Sequence, residues 1–112
     1  MAQLPKPLTG LCPQLSFSVP VDAGSKFDQT VTSEDLQHGQ RITGYTIEVH
    51  FEATGWKQLK LVGHGQTVGA RIVDWGLGTI SGATAIRWNC TATVEPGAPV
   101  AVRSFAAYLG TP

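Results

Sequence analysis

Three side chains suited to acid–base or metal chemistry alternate along one stretch of the chain: Glu48, His50 and Glu52. In an extended strand every second side chain points to the same face, so the three would share one face. At about 3.3 Å per residue the two carboxylates would stand roughly 13 Å apart, beyond the roughly 5–9.5 Å of paired glycosidase carboxylates. A zinc ion would need a further protein ligand from elsewhere in the chain. The spacing therefore favours a solvated polar strand face, and we predict no catalytic residues and no metal site there.

Other catalytic signatures are weak in this sequence. No motif connects His38 or His64 to a serine or cysteine that could act as a nucleophile. The glycine-rich stretch 76–82 lacks the Lys-Ser/Thr pair that completes a phosphate-binding loop. We therefore predict that the chain is not an enzyme and uses no cofactor.

Two tryptophans stand beside turn residues. Trp56 follows Gly55 and Trp75 precedes Gly76. Exposed aromatic side chains near turns stack on sugar rings or fill pockets of a protein partner, although the same placement also suits a lid over the core edge. Trp56 and Trp75 are thus the candidate ligand or contact aromatics, and Asp74 and Arg71 would supply nearby polar groups.

The elements that must position these residues are β-strands. Apolar and polar residues alternate over 45–52, and the alternation recurs over 86–94, where Trp88 falls on the inward face and is predicted to be core. Residues 100–109 are apolar on both faces apart from Arg103 and Ser104, which indicates a strand covered on both sides. Six to eight such strands predict an all-β fold, a single antiparallel β-sandwich of the jelly-roll or immunoglobulin-like kind.

Helix is expected at one place at most. Thr32-Ser33-Glu34-Asp35 resembles a capping box, which predicts at most one short helical turn near 33–38.

The chain of 112 residues is long enough for one domain. Residues 1–14 contain three prolines and are predicted to form an extended arm ahead of a β-sandwich domain over 15–112. The arm either contacts a neighbouring subunit or packs across its own sheet. Cys12 and Cys90 allow one disulfide, but because no secretion signal is evident we favour two buried thiols.

Charge is scarce. Only 14% of the residues are Asp, Glu, Lys or Arg, against about 25% in an average domain, and the net charge is +0. The cations are scattered and balanced by anions, which argues against direct nucleic-acid binding. Because the sequence has no run of 18 apolar residues, no membrane span is predicted. A surface so poor in charge is expected to be covered by copies of the chain or by another protein.

Two functions remain. The first is a non-enzymatic structural subunit of a symmetric assembly, a homo-oligomer or larger protein lattice, such as a surface or cement protein of a virus or phage particle, which would place it on the virion. Its partner-binding residues would lie in the arm and the last strand: Leu4, Pro5, Pro7, Leu11, Phe105, Tyr108 and Leu109. The second is a carbohydrate-binding, lectin-like β-sandwich module that holds a glycan with Trp56 and Trp75.

Overall fold

A computed structural model describes residues 3–12, 14–22, 24–34, 42–59, 72–74, 79–94, 97 and 99–109. These residues form ten strands and no helix. The strands are β1 (Leu8–Gly10), β2 (Ser16–Pro20), β3 (Lys26–Phe27), β4 (Gln29–Glu34), β5 (Ile42–Phe51), β6 (Gly55–Gln58), β7 (Ile72–Asp74), β8 (Ile80–Ser81), β9 (Ala83–Thr93) and β10 (Val100–Tyr108).

Two four-stranded antiparallel sheets make up most of the fold. Sheet A has the order β1-β10-β4-β7 and sheet B the order β2-β9-β5-β6, while β3 and β8 form a small additional pair. The long strands β5 and β9 are adjacent at the centre of sheet B, with Val49 opposite Ile86 and Ile47 opposite Trp88. The predicted all-β antiparallel sandwich is confirmed. The described residues form ten strands where six to eight were expected; eight of them make up the two sheets, and the short pair β3 and β8 is additional.

An aromatic stack fills the core between the sheets. Trp88 is fully buried and lies between the rings of Phe17 and Tyr45, at 5.4 and 5.7 Å between ring centroids. Phe105 of sheet A meets Phe17 edge-on at 5.6 Å, so the stack extends from one sheet to the other. These offset and edge-to-face arrangements suit the quadrupoles of the rings. The inward position predicted for Trp88 is confirmed.

The described part of the arm, from Gln3 onward, packs along the chain's own sheet, which is the second of the two arrangements considered for the arm. Leu4 is 8% exposed, and its backbone N–H donates to the carbonyl of Phe105 at 2.8 Å. Further along, β1 pairs with β10 with Leu8 opposite Val102. Pro5 and Pro7 lack a backbone N–H, but residues 8–10 contain no proline and can form the ladder.

The expected helical turn is wrong where the structure tests it. Ser33 and Glu34 belong to β4, where Ser33 pairs with Ser104 of β10. The Glu34 carboxylate accepts a hydrogen bond from the N–H of Ile42 at the start of β5, instead of capping a helix. Ladder pairing with β10 thus overrides the local capping pattern, and residues 35–38 lie outside the described residues.

The last strand is central in its sheet, and the chain itself covers its outer face only in part. β10 lies between β1 and β4, and its inward side chains Val102 and Phe105 are buried in the core. On the opposite face Arg103, Ser104 and Tyr108 are exposed, whereas Ala106, which pairs with Gln3, is buried. Cover of this face by another subunit stays a prediction.

The preference for two free thiols is wrong, because Cys12 and Cys90 form a disulfide, with their Cα atoms 5.4 Å apart. A backbone bond from Leu15 to the carbonyl of Leu11 turns the chain after Cys12. The N–H of Cys90 then donates to the carbonyl of Leu15, which brings β9 alongside the turn. Because the two cysteines are 78 residues apart in the sequence, their proximity could not be inferred from local sequence patterns.

In the part of the chain that the structure describes, no helix has the length and apolar character needed to span a membrane.

Candidate functional site

The outer face of sheet B carries a compact group of polar and aromatic side chains, here called the outer platform: Glu48, His50, Trp56, Arg87 and Asn89. Cross-strand register brings them together, with Glu48 opposite Arg87 and His50 opposite Trp56. On β5 and β9 these positions alternate with core positions, and Trp56 pairs with an outward position of β5, so the platform faces away from the other sheet.

A tight hairpin positions Trp56. The N–H of Thr54 donates to the carbonyl of Phe51 at 3.2 Å, and Gly55 follows with φ of 77°. A turn followed by a left-handed glycine is a common three-residue hairpin connection, and glycine takes this φ without steric cost. The hairpin places Trp56 at the edge of sheet B, directly across from His50.

The Trp56 ring is held by two neighbours. The guanidinium carbon of Arg87 lies 4.0 Å from the ring centroid, a cation–π contact, and the ring of His50 meets it edge-on at 5.1 Å. The Trp56 residue is nevertheless 36% exposed. Because the guanidinium covers one face of the ring, that face is closed to any further stacking partner.

Glu48 anchors the polar side chains beneath the tryptophan. Its Oε1 accepts hydrogen bonds from Nε of Arg87 at 2.9 Å and from Nδ2 of Asn89 at 2.8 Å. Asn89 in turn accepts a bond from the hydroxyl of Ser16 at 2.8 Å through Oδ1. These hydrogen bonds connect β2, β9 and β5, and they hold the Arg87 guanidinium against the Trp56 ring.

Both members of the ion pair are charged at neutral pH. The hydrogen bond from Arg87 lowers the pKa of Glu48, partial burial opposes this shift, and the bond from Asn89 adds to it. The same hydrogen bond to Glu48 raises the pKa of Arg87. The pair therefore presents one negative and one positive charge side by side.

A separate contact fixes His50. Its Nδ1 shares a hydrogen bond with the hydroxyl of Thr84 at 2.7 Å, and that hydroxyl also lies 3.3 Å from the backbone carbonyl of His50. His50 therefore contacts its neighbours through hydrogen bonding and ring packing. Among the described residues, no three His, Cys, Asp or Glu side chains are grouped so that they could hold a metal ion.

The other predicted ligand residues are not brought to the platform. Trp75 and Arg71 lie outside the described residues, as do His38 and His64. Asp74 ends β7 in sheet A, where it pairs with Thr30, so it stands on a different sheet from Trp56.

The residues predicted to bind a partner divide into two groups. Leu4 and Phe105 are buried in the chain's own core, which removes them as surface contacts. The other five are exposed: Pro5, Pro7, Leu11, Tyr108 and Leu109. A depression of about 120 Å³ lies beside Tyr108, bordered by Gln3, Leu4 and Ser104. A homo-oligomer or lattice built on these residues stays a prediction.

Sequence reasoning missed Arg87 and Asn89 as functional candidates. The alternation over 86–94 places both on the outward face, and that was the signal present. What it lacked was the register that sets Arg87 against Glu48, 39 residues earlier in the chain.

Comparisons with known proteins locate this fold. No protein-family model matches the chain. No curated protein matches it in sequence. A candidate α-L-fucosidase from Bacteroides ovatus matches with a TM-score of 0.81 and 18% identity over 99% of this chain and 18% of that one. A family 29 glycoside hydrolase from Ruminococcus gnavus, a fucosidase solved with fucose, matches with a TM-score of 0.71 and 24% identity over 86% of this chain and 18% of that one.

A third match is to a protein of similar size. It is chitosan-binding module 1 of a chitosanase/glucanase from Paenibacillus sp. IK-5, with a TM-score of 0.68 and 13% identity over 91% of this chain and 75% of the module. The chain thus spans about a fifth of the length of the fucosidases but most of the length of the module. At these identities the likeness shows the fold, a small β-sandwich.

Proposed function

We propose that this chain is a non-catalytic carbohydrate-binding β-sandwich module, and that the outer platform is its glycan site. The observation that carries the proposal is the Trp56 ring, backed on one face by Arg87 and 36% exposed. A flat, fixed and accessible indole is a good stacking surface for the apolar face of a sugar ring.

The supporting side chains make the site pre-organised. Glu48 accepts hydrogen bonds from both Arg87 and Asn89. The His50 ring is held by a hydrogen bond with the hydroxyl of Thr84. Because these groups already have defined partners, little side-chain entropy would be lost when a ligand binds. A few fixed polar groups beside an aromatic surface are the usual composition of a small-ligand site.

The fold comparisons favour the second of the two functions considered from the sequence. The structures named above are glycoside hydrolases or a polysaccharide-binding module by their descriptions, and none of those three is a virion component. A fold hosts several functions, so the proposal depends on the platform and takes the comparisons as support. The assembly function rests on the sequence alone.

A glycan array followed by calorimetry with the strongest binder tests the proposal. We expect the wild-type protein to bind at least one oligosaccharide and Trp56→Ala to weaken that binding about tenfold or more, which corresponds to about 1.4 kcal/mol. Tyr108→Ala is the matched control, because Tyr108 is an aromatic residue of similar exposure (40%) on the other sheet.

The control should keep wild-type affinity, and both variants should keep the wild-type circular dichroism spectrum. Full binding by Trp56→Ala, or an equal loss in Tyr108→Ala, would remove the platform as the glycan site. An array without a single binder would overturn the function itself.

A further inference from the structure

The charges on the outer platform indicate which class of glycan it takes. On the described outward positions of sheet B, strands β5, β6 and β9 contribute one carboxylate, Glu48, and one guanidinium, Arg87. His50 is the remaining titratable group that faces them, and its ring lies against Trp56. The two permanent charges are bonded to each other at 2.9 Å.

This pairing leaves no net charge for an ionic ligand to use. An ammonium group approaching Glu48 would also approach Arg87, and a ligand carboxylate approaching Arg87 would also approach Glu48. Either ligand would meet a like charge within a few ångströms or would have to separate the ion pair. The platform therefore disfavours ligand charges of both signs.

The same pair has hydrogen-bonding capacity left for uncharged groups. Glu48 receives both of its bonds on Oε1, so Oε2 has no partner among the described residues. Arg87 donates through Nε, and its terminal nitrogens have no described protein partner. An acceptor and a donor side by side match a hydroxyl, which donates one bond and accepts another.

Building on the proposed function, we infer that the outer platform selects uncharged glycans. A sugar ring would lie on the face of Trp56 that Arg87 leaves free, and hydroxyl groups that extend past the edge of the indole would reach Glu48 Oε2 and the terminal nitrogens of Arg87, whose side chains are 23% and 33% exposed. Amino-sugar cations and uronates are the disfavoured ligands. The Arg87–Glu48 pair is thereby the element that determines specificity, and Trp56 supplies stacking without regard to ligand charge.

Two pairs of oligosaccharides that share a sugar backbone and differ in the charge of one substituent per residue test this inference. N-acetylchitohexaose is compared with its deacetylated, cationic counterpart, and fully methyl-esterified hexagalacturonate with the free acid, at pH 6 and 50 mM NaCl. In each pair that binds, we expect the uncharged member to bind at least tenfold tighter. Its affinity should change less than twofold at 300 mM NaCl, since salt screens charge–charge attraction.

Two variants shift the preference in opposite directions. Arg87→Gln leaves the Glu48 carboxylate unbalanced and should improve binding of the cationic hexamer relative to the acetylated one. Glu48→Gln leaves the guanidinium unbalanced and should improve binding of the free galacturonate relative to its ester.

The outcomes separate this inference from the proposed function. Equal or tighter binding of the charged members by wild type, or unchanged preferences in both variants, overturns the selection of uncharged glycans while glycan binding stands. If neither pair binds but the array yields another ligand, the charged and uncharged binders on that array decide the inference in the same way. If no glycan binds at all, both proposals fall.

Discussion

Arg87 and Trp56 stack across an intervening strand. The guanidinium carbon lies 4.0 Å from the indole centroid, although Arg87 is on β9, Trp56 on β6, and β5 runs between them. Glu48 on β5, the strand between them, accepts a hydrogen bond from Nε of Arg87. An edge-strand aromatic is thus held by the strand pair at the centre of the sheet.

The stability of this arrangement should depend on pH through Glu48. Because the pKa of Glu48 is lowered in the folded chain, its ionised form stabilises the fold above the ordinary carboxyl pKa of about 4.3. That contribution is lost as pH falls through the lowered pKa. We therefore expect Glu48→Gln to melt below wild type at pH 7 and the two melting temperatures to converge as the pH is lowered through the depressed pKa of Glu48.

Glu52→Gln is the matched control for that pH series, because Glu52 is exposed in the turn between β5 and β6. Its melting temperature should stay close to wild type at pH 7. A constant difference between Glu48→Gln and wild type across the whole pH range would contradict the role assigned to the ion pair.

The disulfide should account for a large share of the stability. Cys12 and Cys90 are 78 residues apart in the sequence. For a loop of that length, the chain-entropy relation gives a stabilisation of the folded state of about 4–5 kcal/mol. Small domains have total stabilities of about 5–15 kcal/mol. Cys12→Ala/Cys90→Ala should therefore unfold at a clearly lower urea concentration than the oxidised wild type.

Reductant supplies the control for the disulfide. It should lower the urea midpoint of the wild-type protein towards that of the double variant and leave the variant unchanged. A wild-type midpoint that is indifferent to reductant would contradict a stabilising bridge.

The N-terminal segment should behave as part of the domain. Leu4 is buried in the core cluster, and truncating a buried leucine costs about 2–5 kcal/mol, so Leu4→Ala should be strongly destabilising. Lys6 lies two residues after Leu4 and its side chain is exposed, so Lys6→Ala should change the free energy of unfolding by less than about 0.5 kcal/mol. Urea unfolding compares the two, and equal stabilities would favour a free arm over a packed strand.

The strands were predictable because alternation is a local signal. The pattern over 45–52 covers most of β5 and the first turn residue after it, and the pattern over 86–94 covers most of β9. Gly55 likewise marked the turn beside Trp56. Local residue order was sufficient for these features, since side-chain period and turn conformation depend on near neighbours.

The pairings between distant strands were not predictable. The bond between Glu48 and Arg87 depends on how β5 and β9 align, and nothing in either segment alone specifies that register. The apolar ends of the chain show the same limit. Both lacked charge and suggested an external partner, whereas β1 and β10 pair with each other and Leu4 reaches the core.

The bridge between Cys12 and Cys90 also governs how the domain would respond to a pulling force. Tension applied at the two ends of the chain would pass through the sulfur–sulfur bond and bypass everything between the two cysteines. At about 3.4 Å per residue, the disulfide prevents the 78-residue loop from adding about 270 Å to the length of the stretched chain. Strands β5 and β6 and the Arg87–Asn89 part of β9 lie inside the shielded loop, so the backbone that carries the outer platform would not be stretched by such a load.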